Sequence, residues 1–216
     1  EQKLTFVTRE IMNLEVYMEV RKVSEAVIRR LPKYYRHLLI LQKTGVERIS
    51  SGKLAQQMRL NASQVRQDFN CFGGFGQQGY GYNVSTLLSE IKNILSLNQP
   101  YRAVVVGAGN IGTALANFEG FERDSIAIEA LFDIDPALIG SSINGKPVLH
   151  TDELETYIKK NGISIGIIAA RRSAAQNIAD RMQAAGVRGI WNFAPMDLTE
   201  VEVPVENLHM TDSLLC

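Results

Sequence analysis

Histidine and cysteine are scarce in this chain, which contains three histidines and two cysteines among 216 residues. No Cys/His cluster has the spacing of a metal site, which argues against structural zinc. The two thiols, Cys71 and Cys216, are too few for the disulfide framework of a small secreted domain. The composition therefore predicts a protein of the reducing cytoplasm that holds no metal.

Long hydrophobic runs are lacking as well. No apolar stretch approaches the roughly 18 residues that a transmembrane helix needs. Residues 1–22 are partly apolar, but charged side chains interrupt any signal-peptide core: Arg9, Glu10, Glu15 and Glu19. We expect this segment to be either an extra helix or a leader, and the sequence assigns it no role.

Net charge is zero, but the sum hides an asymmetry. Residues 21–72 carry 11 lysines and arginines against three acids, whereas residues 101–216 carry nine against 15. A basic block beside an acidic body indicates that the N-terminal part binds a polyanion. The alternative is an ordinary solvated helical face.

The most informative stretch is a short apolar run, residues 103–106, followed by a glycine-rich turn. The turn has the pattern Gly-x-Gly-x-x-Gly and consists of Gly107, Ala108, Gly109, Asn110, Ile111 and Gly112. Such glycines let the chain turn sharply and let its backbone approach a pyrophosphate at the start of a helix, here expected over residues 111–118.

A second apolar run, residues 126–132, ends at Asp133, which lies 21 residues after Gly112. This spacing is typical of a carboxylate that accepts hydrogen bonds from the adenosine ribose of a dinucleotide. A carboxylate there also repels a 2′-phosphate, so NAD(H) should be preferred over NADP(H). The pattern predicts an NAD(H)-binding Rossmann domain. A Rossmann-like fold with an empty site or a coenzyme-A-type nucleotide is the alternative.

Strands and helices alternate through the rest of the chain, which predicts an α/β fold with a right-handed parallel sheet. Further elements are expected as follows: turns over residues 134–149, a helix over 152–160 capped by Thr151, strands over 163–170 and 186–191, and a helix over 173–185. Ligands bind such sheets at the carboxyl ends of the strands. Beyond residues 107–112, we therefore predict these cofactor contacts: Phe118, Asp133, Ile134, Ala169, Ala170, Arg171, Asn192, Phe193 and Pro195.

The basic block contains the pattern of a helix-turn-helix. A first helix should start near Ser24 and be interrupted by Pro32. Two short helices, residues 49–58 and 64–72, then flank a turn, and Ser63 is expected to cap the second. Side chains suited to base edges or phosphates should face outward there and in the segment that follows: Lys53, Arg59, Ser63, Gln64, Arg66, Gln67, Asn70, Gln77 and Gln78.

Glycines and aromatic residues alternate over residues 73–82, which favours a β-hairpin wing beside the recognition helix. A rigid linker loop is the alternative. Cys71 should be a small buried residue beneath the wing, although a redox-sensing thiol remains open. The predicted organisation is a leader (residues 1–22), a winged helix-turn-helix domain (23–83), a linker helix (84–100) and a Rossmann domain (101–216).

An oxidoreductase that carries a winged helix is the main competing interpretation. Hydride-transfer enzymes need a proton donor or acceptor beside the substrate carbonyl. None of the three histidines, His37, His150 and His209, falls at a predicted strand end in the cleft. A separate substrate domain is also missing, so a sensor that binds its nucleotide without turnover is favoured.

Residues 23–216 resemble the Rex family of bacterial redox-sensing repressors. The resemblance depends on motifs in this order: residues 63–83, residues 104–112, Leu-Phe-Asp-Ile-Asp-Pro (131–136), Trp-Asn-Phe-Ala-Pro (191–195) and Val-Glu-Asn (205–207). It implies a homodimer that binds palindromic operator DNA and is released when NADH, rather than NAD⁺, fills the cleft.

The chain departs from the family pattern at several positions. Gln67 and Gln78 replace basic residues of the recognition helix and the wing, Arg171 stands where Val-Pro is common, and His209 replaces an acid. The family also carries a C-terminal helix exchanged between subunits. Since the sequence ends at Cys216, we expect that element to be either missing or cut.

Overall fold

The computed structural model describes residues 24–72, 76–77 and 80–209, which fall into two compact units that divide after Asn98. The first unit contains four helices and three short strands in its described part: α1 (Glu25–Lys43), β1 (Arg48–Ile49), α2 (Ser51–Met58), α3 (Ala62–Asn70), β2 (Gly76–Gln77), β3 (Gly81–Asn83) and α4 (Val84–Ile94). The strands form an antiparallel sheet with the order β1-β3-β2. This is the predicted winged helix-turn-helix.

Helix α1 continues through Pro32, so the predicted interruption is wrong. Its apolar residues recur every three or four positions, and Leu31, Tyr34 and Leu38 are fully buried. Proline in a helix interior costs about 3 kcal/mol. Here the ring lies on the exposed face, and the buried stripe on either side of it holds the helix together.

An aromatic cluster joins the elements of the first unit. The ring of Phe69 in α3 lies 4.8 Å from that of Tyr34 in α1 and 5.0 Å from that of Tyr82 in β3. Rings at these separations attract one another beyond their buried area. Phe69 therefore fixes α3 against both α1 and the wing sheet.

A buried ion pair reinforces this contact. Asp68 of α3 is 2% exposed and accepts from Arg30 Nε at 2.7 Å and Nη2 at 2.8 Å, and from the Tyr34 hydroxyl at 2.8 Å. Burial and the neighbouring Asp68 raise the pKa of Tyr34, which keeps its hydroxyl a proton donor. Removing one partner of such a pair strands a buried charge. The recognition helix is thus held on its inner face by both charge and packing.

Helix α4 belongs to this core. Val84, Leu87 and Ile91 are fully buried, and the helix packs against α1. Its N-cap is Asn83, whose Oδ1 accepts from Thr86 N at 2.9 Å. The helix predicted as a linker over residues 84–100 is therefore Val84–Ile94, a structural part of the first unit.

The second unit is built on a seven-stranded sheet. Its elements are β4 (Tyr101–Val106), α5 (Asn110–Ala116), α6 (Gly120–Arg123), β5 (Ile126–Asp133), β6 (Ser142–Ile143), β7 (Lys146–His150), a 3₁₀ turn (Thr151–Glu153), α7 (Leu154–Asn161), β8 (Ile165–Ile168), α8 (Arg172–Ala185), β9 (Gly189–Asn192) and β10 (Val205–Asn207). The strand order is β10-β9-β8-β4-β5-β7-β6, and every pair except β6–β7 is parallel. The predicted Rossmann-type fold is confirmed.

Residues 134–149 are not turns throughout, since they contain β6 and most of β7. Two caps also differ from the prediction. Asn61, not Ser63, caps α3 and accepts from Ser63 N at 3.0 Å. His150, not Thr151, caps the 3₁₀ turn, with its Nδ1 accepting from Asp152 N at 3.2 Å.

None of the described helices combines the length and the apolar character that a membrane crossing requires.

Candidate functional site

The glycine-rich turn lies where three strands of the second unit meet. Gly107 N donates to Phe132 O of β5 at 2.7 Å, and Ala169 N, just after β8, donates to Val106 O at 2.8 Å. Gly107 has φ of +104°, and a Cβ there would clash with the carbonyl of Ala169. Only glycine fits at position 107, because the backbone at Ala169 passes too close for a side chain and the positive φ disfavours other residues.

The other two glycines of the motif have different environments. A Cβ on Gly112 would overlap the carbonyl oxygen of Gly107, so helix α5 can approach the turn only if this residue is glycine. A Cβ on Gly109 would meet no atom within 4 Å. Nothing in the described part of the protein occupies the space beside Gly109, which suits the close approach of a phosphate group.

Asp133 ends strand β5 with its carboxylate held by backbone amides. Its Oδ2 accepts from Ala108 N at 2.7 Å, and its Oδ1 accepts from Ile134 N at 2.7 Å and Asp135 N at 3.0 Å. The neighbouring Ile134 is 72% exposed. An oriented carboxylate beside an exposed apolar side chain fits a ribose and the base attached to it.

The carboxyl ends of β8 and β9 complete this edge of the sheet. Strand β4 pairs with β8, and β8 with β9, so that Ala169, Ala170 and Phe193 follow neighbouring strand ends. Phe193 N donates to Ile168 O at 2.8 Å. Arg171 is exposed at the start of α8. The structure thus brings the predicted cleft residues to one edge.

Aromatic rings of the second unit form a row that ends at Phe193. The row runs from Phe118 to Phe121 (5.0 Å between ring centroids), to Trp191 (6.0 Å) and to Phe193 (4.5 Å). Phe118 is 57% exposed. Sequence reasoning named the two ends of the row but missed Phe121 and Trp191, which come from separate segments and meet only in the folded chain.

The side chain of Asn192 is committed to the protein itself. It is fully buried, and its Nδ2 donates to Met196 O at 2.7 Å and to Asn207 Oδ1 at 2.9 Å. Its Oδ1 accepts from Ala194 N at 3.0 Å. Asn192 therefore shapes the loop that carries Phe193 and the exposed Pro195.

Helix α3 of the first unit presents a polar face opposite its buried one. Val65, Asp68 and Phe69 are buried, whereas the exposed or half-buried side chains are Ser63, Gln64, Arg66, Gln67 and Asn70. Arg66 Nη1 donates to Ser51 Oγ at 3.2 Å, at the first turn of α2. The outward set predicted from the sequence shares this face.

The remaining predicted DNA contacts come from other segments of the chain. Lys53 is exposed in α2, and Arg59 is exposed at its C-cap with φ of +55°. Gln77 lies in β2, and Gln78 lies outside the described residues. Arg48 of β1, which was not among the predicted contacts, donates from its Nη1 to Tyr80 O at 3.4 Å.

Cys71 is exposed after the end of α3, and its Sγ donates to Gln67 O at 3.3 Å. The expectation of a buried residue beneath the wing is therefore wrong. The exposure follows from its position at the helix C-cap, outside the stripe formed by Val65 and Phe69.

Both units match known families. Residues 22–70 match the model described as "Putative DNA-binding protein N-terminus", and residues 98–196 match the model described as "CoA binding domain". The curated redox-sensing transcriptional repressor Rex of Clostridium botulinum strain Hall is 52% identical over 196 residues, which are 90% of this chain and 93% of that protein. Its counterpart from strain Alaska E43 is 49% identical over 195 residues.

Solved structures of the Rex-family repressor RSP are similar over both units. RSP in complex with β-NAD⁺ and operator DNA is 47% identical, with a TM-score of 0.86 and coverage of 89% of each chain. RSP in complex with β-NADH is 44% identical, with a TM-score of 0.83 and coverage of 90% of this chain and 91% of RSP.

A winged helix-turn-helix unit that precedes a Rossmann unit defines a DNA-binding regulator with a nucleotide site. The relatives narrow this class to one family, because 52% of the residues are identical over 90% of this chain. The chain belongs to the Rex family of redox-sensing transcriptional repressors. Membership confirms the interpretation of the protein as a repressor rather than an enzyme.

The glycine environments generate a stability test. Gly112→Ala should lower the melting temperature of the free protein, because overpacking against the Gly107 carbonyl costs about 1–3 kcal/mol. Gly109→Ala should stay within about 0.5 kcal/mol of the parent, since the added methyl group meets open space. Thermal denaturation of both variants without nucleotide measures this. Equal losses would contradict the different roles assigned to the two glycines.

Proposed function

We propose that this protein represses transcription in the cytoplasm as a homodimer bound to palindromic operator DNA. NADH binding releases the dimer from the operator, and NAD⁺ competes for the same cleft. The observation that carries the proposal is the likeness of the whole chain to RSP, whose structures contain NAD⁺ with operator DNA in one case and NADH in another.

The polar face of α3 suits the major groove. Arginine pairs with guanine and glutamine with adenine, so Arg66 and Gln64 are the proposed base contacts. Lys53 and Arg59 are proposed phosphate contacts, which position the protein without selecting a sequence. The other proposed contacts in the groove and wing are Ser63, Gln67, Asn70, Gln77 and Gln78.

Arg66→Ala should weaken binding to the cognate operator by about 1–3 kcal/mol and relax selectivity at one base pair. Lys53→Ala is the matched control. It should weaken binding to all sequences alike and lower the slope of log K against log salt by about 1. Titration of labelled operator and of a scrambled duplex measures both. An Arg66→Ala variant that keeps parental operator affinity would rule out this base contact.

The cleft suits NAD(H) along its length. The pyrophosphate would approach residues 107–112 beside Gly109, and the adenosine ribose would bind Asp133 next to Ile134. The nicotinamide end would lie against residues 169–171 and the aromatic row. Asn192 would act there through the loop that it holds, since its side chain hydrogen-bonds to Ala194, Met196 and Asn207.

Cofactor choice tests the adenosine end. The carboxylate of Asp133 repels a 2′-phosphate, and no arginine follows in residues 134–145 to neutralise it. The parent should therefore bind NADH more tightly than NADPH, and Asp133→Ala should reduce the difference. Calorimetric titration of both nucleotides provides the measurement. Tighter NADPH binding by the parent would refute the role of Asp133.

Discrimination between NADH and NAD⁺ must arise at the nicotinamide, since the rest of the two molecules is the same. The oxidised ring carries a positive charge, and moving a charge from water into apolar surroundings is costly. Phe118, Phe193 and Pro195 would therefore favour the neutral reduced ring. Arg171 would add repulsion against the oxidised ring if it faces the same pocket.

The release step is the main test. A ligand shifts an equilibrium only by its differential affinity for the two states. NADH should therefore weaken operator binding, each tenfold loss corresponding to about 1.4 kcal/mol of differential affinity. Phe193→Ala should reduce the NADH effect at fixed NAD⁺. Gly109→Ala serves as control, because this variant should fold but lose nucleotide binding. NADH should therefore leave its operator affinity unchanged. Unchanged operator affinity while NADH is demonstrably bound to the parent would overturn the proposal.

A further inference from the structure

The loop after β9, which carries Phe193 and Pro195, is held by the last described strand of the chain. Strand β10 pairs in parallel with β9, with Asn207 opposite Asn192. Leu208 N donates to Asn192 O at 2.8 Å, which extends the pairing past the end of β10. The segment that follows β9 therefore connects two strands that are hydrogen-bonded to each other.

An amide pair links these two strands across the loop. Asn192 Nδ2 donates to Asn207 Oδ1 at 2.9 Å, and Leu198 N makes a longer contact of 3.5 Å with the same oxygen. The other bonds of Asn192 go to Ala194 N and Met196 O, inside the loop itself. The fully buried side chain of Asn192 therefore connects the loop at Ala194 and Met196 to β10, and Asn207 itself contacts the loop at Leu198.

A second contact has the same effect further along. His209 Nε2 lies 2.9 Å from Asp197 Oδ1, which ties the residue after Leu208 to the loop. Together these contacts hold the backbone of the loop at Ala194, Met196 and Leu198 and at one side chain, Asp197. Phe193 itself is fixed to β8 through its amide. Pro195, between Ala194 and Met196, is the part of the loop whose position depends on β10.

We infer that Asn207 is a positioning residue for the discrimination between NADH and NAD⁺. It does so by holding Asn192, and through it the loop with Pro195, at the nicotinamide end of the cleft. This inference rests on the proposed function and adds to it that the C-terminal strand controls the redox preference of the site. A displacement of β10 would change that preference without touching the adenosine end.

The adenosine end gives the experiment its internal reference. Asp133 is held by the backbone amides of Ala108, Ile134 and Asp135, which follow the ends of β4 and β5, and its bonds involve neither residue of the amide pair. ADP-ribose lacks the nicotinamide but retains both riboses and the pyrophosphate, so it reports on that end. Trp191, the single tryptophan of the chain, lies beside Asn192 and gives an emission signal from the loop.

Asn207→Ala should lower the preference for NADH over NAD⁺ by roughly two- to tenfold, the effect of losing one hydrogen bond. The affinity for ADP-ribose should stay at the parental value, and the Trp191 emission should change. Asn207→Asp keeps an acceptor oxygen for Asn192 and should restore most of the preference. Titrations of NADH, NAD⁺ and ADP-ribose into the full chain measure these changes.

Gln183→Ala is the matched control. Gln183 Oε1 accepts from Glu202 N at 2.6 Å and Val203 N at 3.3 Å, so it holds the opposite end of the same segment on α8. Its loss should leave the nucleotide preference unchanged.

Three results would overturn the inference: an unchanged preference in Asn207→Ala, an equal loss of ADP-ribose affinity, or an equal effect of Gln183→Ala. A parent chain that binds neither NADH nor NAD⁺ would instead overturn the proposed function, and this inference with it.

Discussion

The close backbone contact at Gly107 is the constraint on which the nucleotide unit depends. At this one residue the chain leaves β4, donates a hydrogen bond to Phe132 O of β5 and passes close to the carbonyl of Ala169. Gly112 then lets α5 pack against the same turn. These two glycines are explained by the protein alone, whereas Gly109 has open space beside it. That open space is where we propose that the pyrophosphate binds.

In the first unit the corresponding constraint is the burial of one face of the recognition helix. Asp68 and Phe69 bind α3 to α1 and to the wing sheet, and α4 packs on α1 within the same core. The exposed polar residues of α3 are therefore positioned by the same core that holds α1 and α4.

The features that could be predicted from the sequence have strong local patterns. The glycine motif, the apolar runs and the spacing to Asp133 gave the fold and most of the cleft. Strand β7 was missed because Val148 is its single buried residue, and β10 because all three of its residues are half-buried. Pro32 misled the prediction because tertiary packing of Leu31 and Tyr34 outweighs a local propensity. The aromatic row and the Asn192–Asn207 pair depend on contacts between distant segments, which no local pattern encodes.

The two ends of the cleft are built by different physical means, and this suits a sensor of a ratio. The end proposed for the adenosine is fixed by backbone hydrogen bonds to Asp133 and by steric contacts of glycines, so it should bind the shared part of both nucleotides alike. The end proposed for the nicotinamide is shaped by side chains, from the rings of Trp191 and Phe193 to the buried amide of Asn192. Because a competitive sensor responds to the ratio of two ligands, its midpoint is set by the difference between their affinities. That difference can be tuned at the nicotinamide end while the shared binding energy stays constant.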